Sequence, residues 1–152
     1  MKILVDGDAC PKTVKDLLYK TAIRLNVELI LVANRYLRLP VSKHIRSIVV
    51  SQGADEADNH IVEIMKPGDL IISADIPLAS RVIKKNGVVL DPRGIFLTDE
   101  NIGQRLAVRD LMDDLRSGGL ETGGPNTYGG KEKQEFANQL DRFLTNALRP
   151  CK

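Results

Sequence analysis

Along the first part of the chain, short apolar runs alternate with stretches of helical period, and this alternation admits few folds. The runs fall at Ile3–Val5, Glu28–Ala33, Ile48–Val50, Leu70–Ser73 and Val88–Leu90. They are rich in Ile, Leu and Val without polar alternation, the pattern of strands covered on both faces. Between them, Lys12–Leu25 repeats Val14, Leu17, Leu18, Ala22 and Leu25 at helical spacing behind Pro11. Ala54–Met65 carries Ala57, Ile61, Ile64 and Met65 on one helical face and is closed by Pro67-Gly68. Pro77–Lys85 begins on a helix-initiating proline and stops at Asn86-Gly87. Asn34–His44, with Arg35, Arg38, Lys43 and His44 around Pro40, reads as an exposed basic connection. Parallel strands joined by helices require right-handed crossovers, so the expected fold is a three-layer α/β sandwich with a central, mostly parallel sheet.

The remainder reads as C-terminal helices. Glu100–Arg116 has Leu106, Leu111 and Leu115 at helical spacing, Ser117–Gly130 is a glycine-rich connection, and Lys131–Leu148 is amphipathic through Phe136, Leu140, Phe143 and Leu144. With 152 residues and 43% hydrophobic content the chain is expected to form one domain, 100–152 being its helical extension. No apolar run is long enough to span a bilayer, and Asp6 interrupts the N-terminal apolar run at once, so a soluble, cytoplasmic protein with no membrane partner is expected. Cys10 and Cys151 match no zinc-ligand spacing and are expected to be reduced thiols. A net charge of +2 does not decide whether the partner is a nucleic acid, while an aromatic content of 4% argues against a stacking platform.

In an open parallel sheet, ligands bind beyond the carboxyl ends of the strands, where loops and helix N-termini converge. Three acidic features are placed there: Asp6 and Asp8 after the first strand, Asp55 and Asp58 at the start of the helix after the third, and Asp75 after the fourth. Asp55 and Asp58 are spaced to share one helical face. Taken singly, Asp55 and Asp75 are accounted for as helix caps. Taken together, five carboxylates in one crevice would repel one another, and Mg2+ or Mn2+, which prefer oxygen ligands, would relieve that repulsion. The chemistry such a site suits is phosphodiester hydrolysis by metal-activated water. Asp6, Asp58 and Asp75 are the candidate catalytic residues, and Asp6, Asp8, Asp55, Asp58 and Asp75 the candidate metal ligands.

The segments "DGDACP", "GADEADNHI", "GDLIISADIPLA" and "DPRG", together with the later "GGP", resemble the YaiI/YqxD family of bacterial proteins over essentially the whole chain. The resemblance implies a fold similar to PIN-like nuclease domains, whose acidic residues bind divalent metal and cleave RNA or DNA. Carried over by position, Asp6 matches that class's first-strand aspartate and Asp75 the aspartate after the fourth strand. Asp55 or Asp58 stands for the acidic residue of the intervening helix, and Asp8 belongs to the family's own form of the first motif. Ordinary PIN domains use Glu in that helix, so the shorter aspartates here must approach an ion more closely.

Two other readings fit parts of the pattern. A haloacid-dehalogenase-like phosphatase also begins with a strand followed by Asp-x-Asp; there Asp6 would be the nucleophile and Asp8 the general acid, with Ser51, Lys66 and Asp75 as the remaining motif residues. A non-catalytic nucleic-acid-binding module would use Arg35, Arg38, Lys43 and Arg46 as a phosphate-binding strip, with Arg81 and Arg93 nearer the carboxylates. A solvated basic loop accounts for each of these cations singly, and Arg105, Arg109 and Arg116 share a helix with Asp110, Asp113 and Asp114 that would pair internally. RNA is the expected partner, with DNA second. The glycines of 117–130 follow no strand, as a phosphate loop would require, and read as a connection or a lid. His60, close to Asp55 and Asp58, is a better candidate than His44 for a supporting role. Cys10 reads as a packing residue whose thiol the nearby carboxylates would hold protonated.

Overall fold

Among the described residues, six strands form one sheet in the order β3-β2-β1-β4-β5-β6. In chain order the elements are β1 (Lys2–Asp6), α1 (Lys12–Leu25), β2 (Glu28–Ala33), β3 (Ile45–Val49), α2 (Glu56–Ile64), β4 (Leu70–Ile72), α3 (Ile76–Lys84), β5 (Val88–Leu90), β6 (Phe96–Leu97) and α4 (Gly130–Ala147). This computed structural model describes residues 1–8, 10–52, 56–102 and 130–147. β1 to β5 are parallel, with Lys2 opposite Glu28, Val5 opposite Ile72 and Ile72 opposite Leu90. β6 turns back antiparallel on β5, pairing Leu90 with Phe96.

The sheet separates two apolar layers, because alternate residues of a strand face opposite sides. Ile3, Val5, Leu29, Leu31, Leu70, Ile72 and Leu90 pack with Val14, Leu18 and Ala22 of α1 and with Phe136, Leu140 and Leu144 of α4. Leu4, Ile30, Val32, Ile71 and Val89 pack on the other face with Ile61 of α2 and with Leu78, Ala79 and Val82 of α3. The result is the expected three-layer α/β sandwich. α1 ends on Asn26, which takes the left-handed conformation at φ 56° and donates its N–H to Ala22 O.

Several boundaries differ from the sequence reading. β3 begins at Ile45 rather than Ile48. Among the described residues it is an edge strand paired only with β2, which lets Arg46 face solvent inside a strand. β6 was not anticipated; its two residues are held by a tight turn in which Gly94 donates to Asp91 O and Asp91 to Ile95 O, both at 2.8 Å. Thr98 and Asn101 cap each other reciprocally at 2.8 and 3.3 Å and open a helical turn. Most of the helix predicted at Glu100–Arg116, the glycine-rich 117–129 and Cys151 lie outside the described residues.

At the amino edge of the sheet, Asp69 is 3% exposed just before β4. It accepts hydrogen bonds from Lys2 Nζ at 2.6 Å, from Lys2 N–H at 3.2 Å and from Lys66 N–H at 2.9 Å. Burial opposes its charge, but these donors and the Lys2 ammonium prevail and hold the carboxyl below its ordinary range.

Candidate functional site

β1 and β4 lie side by side, yet the chain leaves β1 toward β2 and leaves β4 toward β5. The carboxyl ends of β1 and β4 therefore flank the point where connections diverge, which is where a crevice opens in a doubly wound sheet. Asp6, half-buried, is the last residue of β1. Across the divergence, Ser73 N–H reaches Leu90 O at 3.2 Å and Ser73 Oγ accepts Asp75 N–H at 3.0 Å, fixing the turn beyond β4. Asp75 then caps α3: its Oδ1 accepts Leu78 N–H at 2.9 Å, and Pro77 follows in the first turn. The cap reading of Asp75 is thus correct, and it uses one oxygen; among the described residues the other accepts no hydrogen bond.

Asp8 is turned toward β2. Gly7 N–H continues the ladder to Val32 O at 2.8 Å, and Asp8 Oδ2 accepts Asn34 N–H at 2.8 Å. Asp8 Oδ1 lies 3.4 Å from Arg35 Nε. Both oxygens of Asp8 thereby hold the start of the β2–β3 connection, while Asp6 stands at the point of divergence. A further anchor was missed by sequence reasoning: Leu37, 9% exposed, packs over Gly7, where an added Cβ would stand 2.6 Å from Leu37 Cδ1. The available signal was the alternation of Leu37 and Leu39 with Arg38 inside a stretch dominated by its charges.

The third acidic feature is only partly visible. Asp58 is half-buried in the first turn of α2, a helix that follows β3 and packs over β1 and β2. Asp55 lies outside the described residues. Asn59 beside Asp58 accepts a hydrogen bond from Arg81 Nη1 of α3 at 2.8 Å, tying the two helices together. Asp6, Asp8, Asp58 and Asp75 thus all belong to the carboxyl edge. Among the described residues, no three His, Cys, Asp or Glu side chains stand close enough to hold a metal ion.

The basic residues divide between two edges. Arg35 and Arg38 follow β2 and Arg93 follows β5, all at the carboxyl edge, and Arg93 N–H donates to Asp91 Oδ1 at 2.6 Å. Lys43 and Arg46 lie at the amino end of β3, where Arg46 Nη2 pairs with Glu28 Oε1 at 3.2 Å. The connection read as one strip runs the height of the sheet, so its two halves face different ends of the molecule. Lys66 also lies at the amino edge, its N–H bonded to Asp69. Strands rise about 3.3 Å per residue, so Lys66 is separated from Asp6 by the height of the sheet and cannot play the phosphatase motif lysine. Cys10, 9% exposed, is pushed up to about 12, chiefly by burial; Lys15 opposes this and Asp6 adds to it. The thiol is a packing group, as expected.

A doubly wound α/β domain with aspartates from several elements at its carboxyl edge is the class that fold and site define. The family model described as "Uncharacterized BCR, YaiI/YqxD family" matches residues 4–146, and the chain belongs to that family. A UPF0178 protein of Shewanella halifaxensis is 51% identical over 150 residues, which cover 99% of this chain and 99% of the relative. A UPF0178 protein of Hahella chejuensis is 54% identical over 144 residues, covering 95% and 96%. A UPF0178 protein of Legionella pneumophila is 54% identical over 147 residues, covering 97% and 99%. No solved structure matches the chain. No helix among the described residues is long and apolar enough to cross a membrane.

Proposed function

We propose that the carboxyl edge is a metal-assisted phosphodiesterase site acting on RNA, and less favourably on DNA, in a PIN-like domain. The observation that carries this reading is the placement of Asp6 and Asp75 on the two sides of the point where the connections diverge, with Asp58 on a helix that follows β3. Carboxylate oxygens suit Mg2+ or Mn2+ rather than a softer ion. Mg2+ keeps several waters and commonly takes one or two protein carboxylates plus substrate phosphate, so a closed protein cage is not a requirement. Asp6 and Asp75 would hold the ion, with Asp58 and Asp55 from the α2 side, and the ion would supply an activated water and a counter-charge for the leaving oxygen. Asp75 has the stricter position, since its cap bond to Leu78 holds one carboxylate oxygen and leaves the other for the ion. Asp8 orients the neighbouring connection. Arg93, exposed on the turn after β5, would meet a substrate phosphate.

The test is Asp75→Asn assayed with Mn2+ and Mg2+ on single-stranded RNA and DNA. Asn keeps an oxygen for the Leu78 cap and removes the charge. Metal-dependent cleavage should disappear while the thermal midpoint stays within a few degrees of the parent. Full activity in that variant would sink the proposal.

A further inference from the structure

The β2–β3 connection presents an aromatic ring beside the acidic edge. Burial alternates along it: Leu37 and Leu39 turn inward onto the α1 face, while Tyr36, 81% exposed, and Arg38 turn outward together. The base of this arrangement is fixed. Asn34 N–H is held by Asp8, and Leu37 is seated on Gly7. Tyr36 therefore sits between the anchored Asn34 and Leu37, on a platform tied to the turn that follows Asp6. The ring is the most exposed aromatic side chain among the described residues.

We infer that Tyr36, flanked by Arg35 and Arg38, is a stacking site for one unpaired base of a single-stranded polynucleotide, whose backbone it leads toward Asp6 and Asp75. The ligand class rests on the phosphodiesterase reading; the site itself rests on the ring, its two cations and its anchoring. Every base offers a π-face, so a single ring accepts any base but demands that it be unstacked, which selects single strands over duplex. Arg38 provides a phosphate contact. Arg35 provides a second, because its exposed pair with Asp8 is of the kind that contributes little and exchanges readily. A scarcity of aromatic residues excludes a broad platform and leaves room for one ring in a decisive place.

The test uses fluorescence anisotropy in EDTA with the full chain, a labelled oligouridylate, its deoxy counterpart and an abasic strand of equal length and charge. Tyr36→Ala should weaken binding of both base-bearing strands by about 5- to 150-fold and leave the abasic strand unchanged, with Tyr36→Phe restoring the parent value. The relative affinity for the ribo- and deoxy-strands separates RNA from DNA as the source. Equal binding by Tyr36→Ala and the parent, equal loss on the abasic strand, or no binding by the parent would each overturn the inference. Cleavage with Mn2+ is scored separately. Base-dependent binding without cleavage removes the phosphodiesterase reading alone, and cleavage with an indifferent Tyr36→Ala removes the stacking site alone.

Discussion

The two edges of the sheet use the same residue type to opposite ends. At the amino edge, Asp69 is 3% exposed and surrounded by three donors from Lys2 and Lys66. At the carboxyl edge, Asp75 is half-buried and makes one cap bond. Burial with a full set of partners makes a carboxylate structural; partial burial with an oxygen in reserve leaves it available to a ligand. The distinction is invisible in residue identity and plain in geometry.

The contrast can be broken most sharply by removing the carboxylate at each edge. Asp75→Asn should lose essentially all metal-dependent cleavage yet melt close to the parent. Asp69→Ala should do the reverse, costing about 3–5 kcal/mol because the Lys2 ammonium and two N–H groups lose their acceptor, as chemical denaturation would read. Asp69 also gives the amino edge a pH signature. Its folded carboxyl lies below the unfolded one, so its stabilisation is fully present above the ordinary carboxylate range near pH 4 and is lost as pH falls through the folded value. The acid limb of the stability profile should therefore flatten in Asp69→Asn.

Smaller effects should follow from the glycines of the carboxyl edge. Gly94 has φ +89°, and a Cβ there would lie 2.7 Å from the backbone carbon of Glu135, so Gly94→Ala should cost about 2–4 kcal/mol. Gly7→Ala meets only the end of the Leu37 side chain at its closest approach. It should cost about 1–2 kcal/mol and be partly relieved when Leu37 is shortened. Least of all, Arg24→Ala removes an exposed pair to Asp141 and should change stability by under about 0.5 kcal/mol.

Most of the layer architecture was legible because continuous apolar runs and helical period carry it. β2 and β5 fall on the predicted residues, as does α1. What escaped the sequence were features fixed by long-range contact. β3 starts at Ile45 since backbone pairing with β2 tolerates exposed Arg46, which periodicity took as loop. The two residues of β6 exist only through β5 and the turn at Asp91. The candidate site was legible as a set of aspartates following strands, but not as separate duties. Asp-x-Asp spacing cannot reveal that Asp8 serves Asn34 and Arg35 across the β1–β2 ladder. Nor can a run of cations reveal that its members descend the sheet, leaving Arg35 and Lys43 at opposite ends.

The close approach of Gly94 to Glu135 and Phe136 has a consequence for how the molecule is made. A chain growing from its N-terminus makes all six described strands before α4, and Phe136, buried at 0% exposure, can fill its place in the core only once α4 has been made. The turn that carries Arg93 gains its backing at that late moment. Until α4 is made, the turn that carries Arg93 and the core layer beside α1 lack the same partner.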